Sequence, residues 1–157
     1  MANTTPFVLT SRVDSSYQHN QVVDDIPVRV AHAIFNGADV ATYKGSAVAL
    51  NDVTQLITVP AGAFVLNVVA KVLTVEGGTC TFDIGDDATV DGYLDGVDGN
   101  TEAHSASFTA DTTEAFGAGK YYTAANTIDL KLISGTAAAV VVAVSATYIL
   151  SKPVLTA

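Results

Sequence analysis

A chain of 157 residues fits one domain and can bury roughly 68 to 70% of its unfolded surface, so a core can form without a disulfide or metal staple. Sixteen acids against seven Lys plus Arg give a formal charge of −9. The few cations are scattered, which argues against nucleic acid as a partner, because binding to phosphates needs clustered Lys and Arg.

Residues 1–25 are polar and irregular, with Asn3, Thr4, Thr5, Pro6, Ser11, Ser15, Ser16, Asp24 and Asp25 interrupting any period. They read as an N-terminal arm, either free or docked on a neighbouring subunit through Phe7, Val8, Leu9, Val22 and Val23. Residues 1–10 carry no basic stretch followed by an apolar run, so no secretory signal is expected. Residues 27–35 (PVRVAHAIF) alternate, placing Val28, Val30, His32 and Ile34 on one side of a period-2 strand. His32 then falls on the apolar face. A satisfied, partly buried histidine is favoured over a metal ligand, since no second His or Cys lies at ligand spacing. The Asn36-Gly37 dipeptide predicts a tight turn.

Residues 53–59 form a second strand, stopped by Pro60 and Gly62. A longer one covers 63–75, and both of its parities are largely apolar: Phe64, Leu66, Val68, Ala70 and Val72 against Ala63, Val65, Val69, Leu73 and Val75. Burial on two sides is implied, one side being the core and the other a loop or a second subunit. After Gly77 and Gly78, residues 79–84 read as its hairpin partner, with Cys80, Phe82 and Ile84 facing inward. Cys80 is expected to be a small buried hydrophobe, because no neighbouring base or cation would lower its pKa. Residues 85–102 are rich in Asp and Gly, and 105–120 read as a loop-rich excursion. Alternation resumes at 127–133, where Ile128, Leu130 and Leu132 interleave with Thr127, Asp129 and Lys131. Gly135 turns the chain into the Val-rich segment 138–150, giving a C-terminal hairpin. The run 137–150 is shorter than the roughly 20 residues of a spanning helix and contains Ser145, Thr147 and Tyr148, so no membrane is expected as a partner. The whole predicts an all-β fold, a β-sandwich or jelly roll spanning 26–157 behind an irregular N-terminal arm at 1–25.

Motifs for chemistry fail one by one. The loop DIGDDATVDGYLDGVDGN offers Asp83, Asp86, Asp87, Asp91, Asp95 and Asp98, followed by Glu102, as oxygen ligands for calcium. EF-hand spacing is absent: counted from Asp91, the third position is Tyr93. Turn-forming and solvating roles are favoured for these acids. The same acids lie beside glycines, where nothing desolvates one of them into a general acid for glycoside hydrolysis. His19, His32 and His104 have no Gly-x-Ser-x-Gly elbow to serve. The glycines Gly117 and Gly119 before Lys120 lack phosphate-loop spacing. Tyr93, Tyr121 and Tyr122 could stack on sugars, although covering a core edge is favoured. No catalytic, cofactor-binding or metal-binding residue is assigned, and no enzyme and no cofactor are expected.

The segments ITVPAGAFVLNVVAKVLTVEGGTCTFDIGDD, VDGYLDGVDGNT and GKYYTAANTIDLKLISG resemble small virion structural proteins of tailed bacteriophages, over residues 57–150. The resemblance implies a jelly roll in the virion. It further implies a capsid decoration or cement protein, a homotrimer on the outer capsid surface that braces neighbouring subunits of the major capsid protein. It brings no catalytic residues. The acidic charge agrees with an outward position, away from packaged DNA. The alternative is a carbohydrate-binding module on a phage head fibre or tail appendage.

Overall fold

The computed structural model describes residues 28–102, 104–106 and 114–150. The arm at 1–25, with its docking patches, lies outside them. Nine strands and one helix follow in order: β1 (Val28–Asn36), α1 (Gly37–Lys44), β2 (Val53–Val59), β3 (Ala63–Thr74), β4 (Cys80–Gly85), β5 (Leu94–Asp98), β6 (His104–Ala106), β7 (Lys120–Tyr121), β8 (Asn126–Gly135) and β9 (Val141–Leu150). Sheet A has the order β1-β9-β3-β6, with the two-residue β7 also pairing β3; sheet B has the order β2-β8-β4-β5. Every pairing is antiparallel.

This order is that of a jelly roll. The chain crosses from one sheet to the other at β1 to β2, β2 to β3, β3 to β4, β5 to β6, β7 to β8 and β8 to β9, so most sequence neighbours face each other across the core. Both expected hairpins are therefore corrected. Strand β4 pairs β8 and β5 rather than β3, because the chain leaves sheet A through Gly77, whose φ of 83° few other residues adopt. Strands β8 and β9 likewise lie in opposite sheets.

The core is filled by Val and Ile side chains with a few aromatics: Val65, Val68, Val72, Val142 and Val144 from sheet A meet Ile57, Val59, Ile84, Ile128 and Leu132 from sheet B. Phe35 of β1 touches Phe82 of β4 edge-on, with centroids 5.4 Å apart, which ties the two layers together. Cys80 is buried beside them, and burial, with Glu76 and Asp98 nearby, pushes its thiol up to about 12, so it stays a protonated hydrophobe.

Two local corrections follow. The Asn-Gly pair makes a helix start instead of a hairpin turn: the Asn36 side chain accepts from Ala38 N at 3.1 Å as the N-cap of α1, and Gly37 N donates to Val140 O. A Cβ on Gly37 would sit 2.0 Å from the Ala137 carbonyl oxygen, so only glycine fits that approach. In β1, Phe35 is the residue that points into the core, while Val28, Val30 and Ile34 are 63%, 65% and 62% exposed. His32 is exposed with them rather than partly buried.

The crossing from β8 to β9 is held by one carboxylate. Glu76 accepts from Thr136 Oγ1, Ala138 N, Ala139 N and Val140 N at 2.7 to 3.0 Å. Burial alone would raise its pKa, but the four donors outweigh it and hold the carboxyl below its ordinary 4.5. A lowered folded pKa gives stability that is present above the unfolded value and lost as pH falls through the folded one. Glu76→Gln is expected to cost about 1 to 2 kcal/mol at pH 7, with the difference from wild type shrinking below about pH 4.5, as read by urea melts at several pH values.

Candidate functional site

The turns at one end of the sandwich are joined by a buried polar knot. Asp86, fully buried, follows β4 and accepts from Ala88 N and Thr89 N at 3.1 and 2.9 Å, closing an Asx-type turn. Its other oxygen accepts from Tyr122 Oη at 3.1 Å and is ion-paired with Lys120 Nζ. Tyr122 Oη lies 3.0 Å from Tyr93 Oη, the Tyr93 ring meets Phe116 edge-on at 5.1 Å, and Lys120 Nζ lies 3.8 Å from the Phe116 centroid. Burial would raise the Asp86 pKa, yet Lys120, Thr89 N and Tyr122 together lower it, so Asp86 is ionised beside Lys120. Burial pushes both tyrosines up, which keeps them as neutral donors. The role of the knot is to clamp the turns around residues 86–93 and 114–122 to each other.

Three further acids of the loop have partners of their own. Asp83 accepts from Gly96 N at 3.1 Å, Asp98 from Asn100 N and Thr101 Oγ1 at 2.8 Å each, and Asp87 from Asn126 Nδ2 at 2.7 Å. Among the described residues, no three His, Cys, Asp or Glu side chains are grouped to hold a metal ion. Tyr93 and Tyr122, two of the three candidate sugar platforms, point inward and bond each other; Tyr121 alone is exposed, at 51%. The segment ending in Lys120 contributes Phe116 and the lysine to the knot rather than a phosphate loop. The described residues contain no helix long and apolar enough to cross a membrane.

Asp129 is different. It sits on β8 between Gln55 and Gly85, almost wholly buried, and its Oδ1 has no hydrogen-bond partner. Burial, with Asp87 and Asp86 nearby, raises its pKa above the ordinary 3.8 in spite of a bond with Thr127. A raised carboxyl works against the fold once ionised: stability is highest below pH 3.8, declines as pH rises toward the folded pKa and stays lower above it. Asp129→Asn should therefore stabilise the protein by about 1 kcal/mol at pH 7, with the gain vanishing near pH 4, measured as the difference in melting temperature across that range.

The two outer faces of the sandwich contrast in chemistry. Sheet B exposes Asp95 and Asp98, holds Asp83 and Asp129 buried, and carries Lys131. None of the sixteen acids falls in the strands of sheet A, whose outer side carries Lys71, while Lys120 of β7 is ion-paired with Asp86 in the knot. The register aligns the outer side of sheet A into rows: Val28, Ile149, Phe64 and Tyr121; then Val30, Thr147 and Asn67; then His32, Ser145 and Val69; then Ile34, Ala143 and Lys71. On β1 this acid-free face is the apolar side that the sequence suggested was buried, and on β3 it is the second apolar side expected against a loop or another subunit. Its signal was present in the absence of Asp and Glu from β1, β3 and β9.

No protein-family model matches the sequence, and no curated protein matches it. Solved structures do share its fold. A chain in the acidic stable capsid structure of Helicobacter pylori bacteriophage KHP30 superposes with a TM-score of 0.55 at 20% identity, covering 80% of this chain and 89% of that one. A chain of the capsid asymmetric unit of cyanophage Pam1 gives 0.57 at 18% identity, covering 81% and 87%. One in the capsid of Ralstonia phage GP4 gives 0.59 at 18% identity, covering 81% and 86%. At these identities the likeness is one of fold, and each matched chain is little longer than the shared domain.

Proposed function

We propose that this protein is a structural component of a phage virion, a decoration or cement protein that sits on the outer capsid surface and braces neighbouring subunits of the major capsid protein. The observation that carries the reading is the jelly roll shared, nearly end to end, with chains from three phage capsids. The interior agrees with it. Asp86, Tyr93 and Tyr122 of the knot are buried and bonded in a chain, the one cysteine is buried with its thiol pushed up, and Asp86 and Asp98 close turns, so these groups lend the domain rigidity. A net charge of −9 favours the outside of the particle over the face that meets packaged phosphates. The protein works as a homotrimer without enzymatic activity: it buries area against the shell and between its own copies, and mass action then raises the barrier to rupture.

The test is reconstitution. Purified protein is mixed with particles of its phage that lack it, sedimented, and heated while DNA release is followed with an intercalating dye. Saturable co-sedimentation and a release temperature several degrees higher are expected. Protein that stays in the supernatant, or binds without changing the release temperature, would overturn the cement role.

A further inference from the structure

We propose that the outer face of sheet A is the surface through which copies of this chain associate with one another. This deepens the oligomeric part of the reading above and rests on it. The first ground is composition. Val28, Val30, Ile34 and Leu73 are exposed on this face, and Phe64, Leu66, Val69 and Ile149 stand half-buried beside them with no core contact. Together they make a contiguous patch rather than the scattered apolar residues of an ordinary surface.

The second ground is charge, and it selects the occupant. Two copies of a chain with net charge −9 repel each other over most orientations. Sheet A is where that repulsion is least, because its strands contain no acid and its outer side carries Lys71, while sheet B exposes Asp95 and Asp98. A second copy can approach through sheet A without bringing carboxylates together.

Size and edge geometry agree. Strands β1, β9 and β3, of nine, ten and twelve residues and about 4.8 Å apart, make a face of roughly 15 by 30 Å, over half of the 800 Å² or so that each partner contributes to a standard interface, and the short β6 and β7 extend it. Among the described residues strand β1 is also an edge of the sheet, nine residues long, with no proline and no acid to discourage pairing. Native edges usually carry such protection unless another chain covers them.

Light scattering after size exclusion tests the proposal on the full chain, comparing wild type with Val30→Asp/Ile34→Asp, with Lys71→Glu, and with a control pair on the outer side of sheet B, Gln55→Lys/Thr58→Lys. All altered side chains are exposed, so circular dichroism and melting should match wild type. Wild type and control are expected at a multiple of the protomer mass and the double variant at one protomer. Lys71→Glu should weaken association about tenfold, and it carries the test by itself if the double variant does not fold. A double variant or Lys71→Glu protein that folds and keeps the wild-type assembly at all dilutions would overturn the assignment while leaving oligomerisation standing. Wild type at one protomer throughout would overturn self-association. If that monomer still sediments with capsids and Val30→Asp/Ile34→Asp does not, the face belongs to the shell, and the cement role survives without the proposal.

Discussion

Asp86→Ala is expected to cost about 3 to 5 kcal/mol, a large share of the 5 to 15 kcal/mol that holds a domain together. The substitution acts in three ways at once. It leaves Ala88 N and Thr89 N without their acceptor, strips Tyr122 Oη of one partner, and strands Lys120 among Phe116 and Tyr122 with no counter-charge. Removing one member of a buried pair is costlier than removing both, because the charge left behind is desolvated and unpaired. The double variant Asp86→Ala/Lys120→Met should therefore be more stable than Asp86→Ala alone. Asp86→Asn, which keeps an oxygen for the two amides, should fall between wild type and Asp86→Ala. Urea unfolding at pH 7 ranks the four proteins. A single-variant loss under about 1 kcal/mol, or a double variant no better than the single, would mean that the knot is ornamental to the fold.

The strands of this jelly roll were legible because their side chains alternate; their partners were not. Alternation says which residues share a side, and at Ile128, Leu130 and Leu132 the apolar side is the core. It does not say which side is the core when both are apolar, and β1 shows the consequence. Val28, Val30 and Ile34 look like the inward set, yet Ala31, Ala33 and Phe35 pack inward, since Phe35 is needed against Phe82. In β3 the register shift between Val65 and Asn67 changes the phase, so Ala63 and Val65 and then Val68, Ala70 and Val72 all face the core. Part of its two-sided apolar character is thus a bulge, invisible to a strict period of two. Sheet membership was beyond reach for a different reason: a glycine turn between two strands reads alike whether the chain folds back or crosses the sandwich. Strand β5 was missed because only Leu94 and Val97 stand out from its Asp and Gly neighbours. Helix α1 could have been found, from Asn36 as cap, Asp39 in the first turn, Lys44 in the last and Gly45 at φ 75° beyond it. The knot joins residues 86, 93, 116, 120 and 122, and only the folded topology brings them together.

Gly135→Ala is the second substitution expected to have a severe effect, and a series of glycines separates its causes. Gly135 ends β8 with φ 77°, paired with Cys80 at the end of β4, and an added Cβ would lie 1.7 Å from the Thr79 carbonyl oxygen and 2.4 Å from its carbon. Those are backbone atoms held by the bond from Thr136 N to Thr79 O at 3.1 Å, so they cannot swing aside as a flexible side chain could. Relief requires opening the end of the β4–β8 ladder next to the Glu76-bound turn, and about 3 to 4 kcal/mol should be lost. Gly77 shares the left-handed backbone, φ 83°, but has open space where a Cβ would go; Gly77→Ala should show the conformational cost alone, about 1 kcal/mol. Gly78 has open space and lacks the positive φ, so Gly78→Ala should be neutral or stabilise by about 0.5 kcal/mol through the unfolded chain. Melting temperatures should rank Gly78→Ala at or above wild type, Gly77→Ala below it and Gly135→Ala far below both. If Gly77→Ala and Gly135→Ala lost equal stability, backbone conformation rather than the approach of β4 to β8 would be what requires glycine there. The close packing of the two sheet-B strands would then not be the constraint that fixes this corner of the sandwich.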